Sequence, residues 1–188
     1  VLDHRHELGK AMTRLGLCCI FRDQPIKFPT TTATAIGKMK RSEALAKLSR
    51  LCMENAAALS AALQYCAENK IGCFRVHSRI LPIKTHPTCG YSIGDLPDGD
   101  AIIQRFKECG KFIQQHRLRA CFHPDQFVVL NSPRIDVVEK SVQELEYQGE
   151  VAEWIGADVI NIHGGGAYGD KPKALADFAR NIDRLSAR

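Results

Sequence analysis

The chain has 188 residues, 45% hydrophobic and 25% charged, a balance that excludes a disordered chain and leaves room for one buried core. Its net charge of +5 is spread without a dense basic block, so it is compatible with a polyanionic partner without requiring one. No apolar run is long enough to span a bilayer and the first ten residues are too charged for a signal peptide, so neither a membrane nor a secreted protein is expected.

Residues 1–13 read as a charged amino-terminal extension, and residues 14–188 as one domain. Residues 14–20 (RLGLCCI) form a short apolar run, as expected of a first strand buried on both faces. After a Thr-rich loop at 30–35, apolar residues recur at Leu45, Leu48, Cys52, Leu59, Leu63 and Cys66 with helical spacing; Ser42 is placed to cap that helix and Gly72 to follow it. The pattern then repeats three times. Residues 72–77 (GCFRVH), 118–123 (LRACFH) and 158–163 (DVINIH) read as strands, each followed by a polar loop and a helical pattern. The second helix spans about 100–115 through Ile103, Phe106, Cys109 and Ile113. Ser132 with Pro133 opens the third, which runs through Val138, Val142, Leu145 and Ile155, and Pro172 opens the fourth, through Leu175, Phe178 and Ile182. Strands alternating with long helices imply right-handed crossovers and a parallel sheet, either an open doubly wound one or a barrel. The pattern stops at the fourth helix, which raises the expectation of a truncated chain.

The eight cysteines contain no Cys-x-x-Cys pair, and six of them, Cys18, Cys19, Cys66, Cys73, Cys109 and Cys121, lie in or beside apolar segments, where a free thiol behaves as a small hydrophobe. A reducing cytoplasm is the expected compartment.

Chemistry is concentrated where the strands end. His86 in KTHP, His123 in FHPDQF and His163 in NIHGGGAYG all sit in loops at carboxyl strand ends, the side of a parallel α/β sheet where ligands gather. Imidazoles converging there suit a transition-metal ion. His4, His6, His77 and His116 are assigned structural roles. Gly164, Gly165 and Gly166 allow a close backbone approach to a ligand, but without a Lys-Ser/Thr pair they do not make a nucleotide-binding loop. Gln126 and Phe127 pair a hydrogen-bonding group with a flat ring that could wedge into a base stack, although the residue type alone favours Phe127 packing under its loop.

In order along the chain, RLG at 14–16, His86-Pro87, His123-Pro124-x-Gln126-aromatic and H163-G-G-G-A-Y-G169 resemble the motifs of UV damage endonucleases. That resemblance implies a (β/α)8 TIM barrel, of which this chain would carry only the first four βα units, a half barrel. It implies an endonuclease that hydrolyses a phosphodiester 5′ to UV photoproducts in double-stranded DNA, using a cluster of divalent metal ions at the barrel mouth. The ions would be Mn2+, with Zn2+ or Mg2+ as alternatives. By position, His123 and His163 match metal ligands, His86 a catalytic histidine near the scissile phosphate, and Gln126 and Phe127 the DNA-binding pair that probes the helix opposite the lesion. Two positions depart from the family pattern: its tyrosine after RLG is Leu17, and its His-Pro-Gly-Gln-Tyr is His123-Pro124-Asp125-Gln126-Phe127, which brings a negative charge toward DNA. The family's remaining carboxylate, histidine and lysine ligands would come from the second half of the barrel, so these residues alone are expected to be inactive. Competing readings are another metal-dependent barrel, an abasic-site nuclease or a sugar isomerase, which would not need Gln126-Phe127, and a catalytically dead DNA-damage binding module.

Overall fold

A computed structural model describes residues 13–187, so the proposed extension, with His4 and His6, lies outside the described residues except for Thr13. Four strands, β1 (Gly16–Leu17), β2 (Cys73–Val76), β3 (Arg119–Phe122) and β4 (Val159–Ile160), form one sheet in the order β1-β2-β3-β4 with every neighbouring pair parallel. Among the described residues five α-helices accompany them, α1 (Ala33–Gly37), α2 (Arg41–Glu68), α3 (Gly99–Gln115), α4 (Ile135–Ile155) and α5 (Lys171–Ile182), with a 3-10 turn at Ile93–Asp95. A doubly wound sheet reverses its strand order at a switch point. Here the order is sequential throughout, so the chain is four βα units of a barrel wall, as the resemblance implied.

Strands β2 and β3 alternate in burial, and β1, expected to be buried on both faces, has Gly16 exposed and Leu17 only half-buried. Phe74, Val76, Ala120 and Phe122 point into the core, whereas Cys73, Arg75 and Cys121 are half-buried and Arg119 is exposed. The reason is that the helices cover one face only. Leu48, Cys52, Leu59, Leu63 and Cys66 of α2, Phe106, Cys109 and Ile113 of α3, and Val151 and Ile155 of α4 build the core against it. The opposite face, which in a barrel points inward, carries the Cys and Arg side chains. Strands β1 and β4 are also shorter than the sequence pattern, because only Gly16–Leu17 and Val159–Ile160 have ladder partners.

Several helix starts differ from the sequence reading. Ser42 lies inside α2, whose N-cap is Lys40, and Asn69 rather than a glycine ends the helix. Ser132 does not cap α4; its hydroxyl accepts from Arg134 N (3.2 Å) in a turn before the helix begins at Ile135. This is the ordinary competition of a serine side chain for nearby backbone donors. Asp170 caps α5 by accepting from Lys173 N (3.0 Å), with Pro172 in the first turn as expected. In the Thr-rich loop, Thr32 caps the unforeseen α1 through Ala35 N (3.2 Å). Leu175 and Ile182 of α5 stay exposed, and Ile182 borders an apolar groove of about 470 Å³ left open between α5, α4 and β4.

Buried polar groups of α4 fix the long loop after β2. The Tyr147 hydroxyl donates to Ser78 O (3.1 Å) and accepts from Leu81 N (3.0 Å), and its burial raises its pKa well above that of a free tyrosine. Thr85 Oγ1 donates to Glu144 Oε2 (2.7 Å), and Lys84 Nζ lies 3.3 Å from Glu150 Oε2. From the other side the Arg41 guanidinium donates to Gly90 O (2.9 Å). A buried polar network of this kind holds its members in one arrangement. It delivers His86 to the carboxyl side of the sheet.

Candidate metal and DNA-reading site at the strand ends

In the parallel register Val76 faces Phe122 and Phe122 faces Ile160, so His77, His123 and Asn161 follow at one level on adjacent strands. His163 lies two residues beyond Asn161. The His123 and His163 rings meet edge to face at 88°, with their Nε2 atoms 3.0 Å apart. Two nitrogens each about 2.1 Å from one ion, at right angles to each other, lie about 3.0 Å apart. The pair therefore has the spacing of two neighbouring ligands on an octahedral ion. Among the described residues no group of three His, Cys, Asp or Glu side chains gathers to complete such a site.

The proton arrangement of this pair follows from its partners. Asn161 Nδ2 lies 3.2 Å from His123 Nδ1. If the amide donates there, His123 carries its proton on Nε2 and gives it to His163 Nε2. Binding one ion through both Nε2 atoms requires the other tautomer of His123, with Nδ1–H donating to a flipped Asn161 carbonyl. Desolvation, then the His163 ring and the Arg75 guanidinium, hold the His123 pKa below the ordinary histidine value. The ring is thus neutral near pH 7, the form that binds metal.

The histidine pair opens into a recess of about 300 Å³ that also holds Cys19, Arg75, His77, Ser78 and Gln126. His77 keeps the structural role assigned to it: its Nδ1 accepts from Arg79 N (3.0 Å), its ring stacks on Phe28, and burial followed by Arg79 lowers its pKa. Its place beside the pair was not anticipated, although the two-residue alternation of Cys73, Arg75 and His77 carried the signal.

His86 is not in that recess. It lines a larger cleft of about 850 Å³ together with Gln126, Phe127, Lys140 and Tyr168, and the turn 125–126 forms the ridge between the two cavities. The His86 Nδ1 accepts from Thr88 N (3.3 Å) and Cys89 N (3.2 Å), so the neutral ring carries its proton on Nε2. It is a hydrogen-bond donor held by its own turn. Gly90 closes that turn by donating to His86 O (2.7 Å), and a Cβ there would come within 2.6 Å of Lys84 O.

Phe127 is 75% exposed and does not pack under its loop, which corrects the reading from residue type alone. The residue before it is part of the cause. Asp125 Oδ1 accepts from Phe127 N (3.1 Å) and Asp125 O from Val128 N (2.9 Å), which turns the chain outward before Val128 and Leu130 return to a small core with Leu145. The loop after β4 presents a second ring, Tyr168, 53% exposed and at a positive φ of 50°. Gly165, at φ 72°, presses against Asn131 so closely that a Cβ would overlap its Oδ1, while Asn131 Nδ2 donates to Gly166 O (2.9 Å). The glycine run is thus a loop anchor on β3's neighbouring segment and not a free turn. Tyr168 lies inside the His163–Gly169 motif, which gives it no role of its own, and Arg79 carries no sequence signal because it falls in no periodic pattern or motif.

The arrangement matches a known family over nearly all of the chain. The model of the family described as UV-endonuclease UvdE aligns with residues 13–188. The chain belongs to that family. It is similar to the UV DNA damage endonuclease of Bacillus cereus (strain 03BB102), 33% identical over 162 residues, 84% of this chain and 49% of the relative. It is likewise similar to that of Bacillus mycoides (strain KBAB4), 31% identical over 159 residues, 83% of this chain and 49% of the relative. Among solved structures, the crystal structure of SacUVDE superposes with a TM-score of 0.80 at 25% identity, covering 93% of this chain and 57% of that one. This UvdE-family chain therefore spans about half the length of the curated relatives it matches, and its fold is a half barrel of the TIM type. Among its described residues no helix is long and apolar enough to cross a membrane.

Proposed function

We propose that this chain supplies the first half of the active site of a DNA repair endonuclease that nicks double-stranded DNA on the 5′ side of UV photoproducts by metal-activated hydrolysis. The observation that carries the reading is the juxtaposition of two converging histidines, 3.0 Å apart, with an exposed aromatic residue on the adjoining turn. An abasic-site nuclease or sugar isomerase would need the first feature but not the second. Family membership and the names of the relatives support the same reading.

His123 and His163 are the residues that would hold a divalent ion, which we assign as manganese, with zinc or magnesium the other candidates. Such an ion supplies Lewis acidity toward a phosphodiester and activates water near neutral pH. The protein groups do the positioning. His86, fixed through Nδ1, lines the larger cleft, where its Nε2–H would donate to a non-bridging phosphate oxygen. Gln126 stands on the ridge between the two cavities and Phe127 follows it in the lining of the larger cleft; the amide would test base edges and the ring would fill the space left by an extruded base. Activity is assigned to the natural gene product carrying this chain. The 188 residues by themselves, with two ligands in place, are inactive in this proposal.

The test is incision of a duplex containing one pyrimidine dimer, beside the same duplex without it. The gene product is expected to cut the damaged strand 5′ to the dimer with manganese and to lose cutting on chelation. Equal cutting of both duplexes, or cutting that survives complete metal removal, would contradict the proposal.

A further inference from the structure

Asp125 sits on the ridge between the two cavities and borders both. Its two carboxylate oxygens have different tasks. Oδ1 accepts from Phe127 N (3.1 Å), and Oδ2 lies 3.7 Å from the Arg79 guanidinium. Arg79 comes from the turn after β2, where its own N–H donates to His77 Nδ1 (3.0 Å). The loops after β2 and β3 are therefore joined by one charge pair beside the reading residues. Both side chains are well exposed, 64% for Arg79 and 42% for Asp125, so the pair adds little to stability. Its effect is on the field that an approaching polyanion meets.

We infer that Asp125 is a specificity-determining residue for damaged DNA: it pins the backbone under Phe127 and keeps Arg79 from gripping phosphate, so that intact duplex is held weakly. This rests on the proposed function above. An arginine free to contact phosphate raises affinity for any duplex alike, adding about 0.9 to the salt dependence of binding. A carboxylate at 3.7 Å opposes that contact, leaving Gln126 and Phe127 a larger share of the binding. Sequence-independent grip falls, and the ratio of damaged to intact binding rises.

The experiment is a salt titration of binding by the gene product to a dimer-containing duplex and to its intact counterpart. Asp125→Asn keeps an Oδ1 acceptor for Phe127 N and removes the charge. It should bind intact duplex about threefold tighter or more, with a salt slope steeper by about 0.9, and should discriminate less. Asp125→Asn with Arg79→Gln should return the slope to the wild-type value, and Arg79→Gln alone should leave it there. If the wild type discriminates while Asp125→Asn matches it in slope and ratio, this inference fails and the proposed function stands. A reduced slope in Arg79→Gln alone also overturns it, because Arg79 would then already be on phosphate. A wild type that binds both duplexes equally overturns the proposed function together with it.

Discussion

Replacing His123 or His163 with alanine in the natural gene product should slow incision of a dimer-containing duplex by about 100-fold or more, with a far smaller change in duplex affinity. Loss of a hydrogen-bond partner behind a metal ligand already costs 10- to 100-fold in metal affinity or activity, so loss of the ligand sets that as a floor. The two rings lie 3.0 Å apart at the ends of β3 and β4, and removing either leaves one imidazole and an open position. Affinity is spared because phosphate contacts along the duplex supply most of it. Single-turnover incision, measured beside equilibrium binding, separates the two effects. Equal losses in rate and affinity would show that the histidines hold DNA and not the chemistry.

The second large effect should come from changing Gln126 and Phe127 together to alanine. Phe127 is 75% exposed, and in the proposed complex its ring gains burial by stacking on a base. Stacking of a base on an aromatic residue contributes about 1–3 kcal/mol, so preference for damaged over intact duplex should fall by about tenfold. The rate of cutting at saturating protein should fall less, because neither residue lines the wall formed by the histidine pair except through the edge of Gln126. Preference is read as the ratio of dissociation constants for the two duplexes at one salt concentration. A double variant with an unchanged ratio would move damage recognition elsewhere, with exposed Tyr168 across the larger cleft the next residue to test.

The alternation of strand and helix patterns made the parallel architecture legible, because hydrophobic period survives in a single sequence. Strand order did not follow from periodicity, and it was the family motifs that pointed to a barrel. The histidines at 123 and 163 could be placed on one side of the sheet for a simple reason: both end strand patterns, and adjacent parallel strands present their ends together. What the sequence hid depends on partners distant along the chain. The inner face of β2 and β3 did leave a signal, Arg75 and Arg119 alternating with Phe74, Val76, Ala120 and Phe122, but four-residue strands are too short for that alternation to stand out beside the apolar residues. Phe127 looked like a packing residue until the Asp125 turn showed why it faces outward. Ser42 and Ser132 resembled caps because capping is decided by backbone angles, which composition does not fix. The division of the site into two cavities, with His86 in one and the histidine pair in the other, had no signal in the sequence at all.

The central claim, that His123 and His163 share one divalent ion, is tested most directly by anomalous diffraction at the manganese edge from crystals of the gene product grown with that metal. A single peak within coordination distance of both Nε2 atoms, with Asn161 turned so that its carbonyl accepts from His123 Nδ1, is the predicted result. The two rings still hydrogen-bonded to each other, with manganese bound elsewhere or not at all, would contradict it.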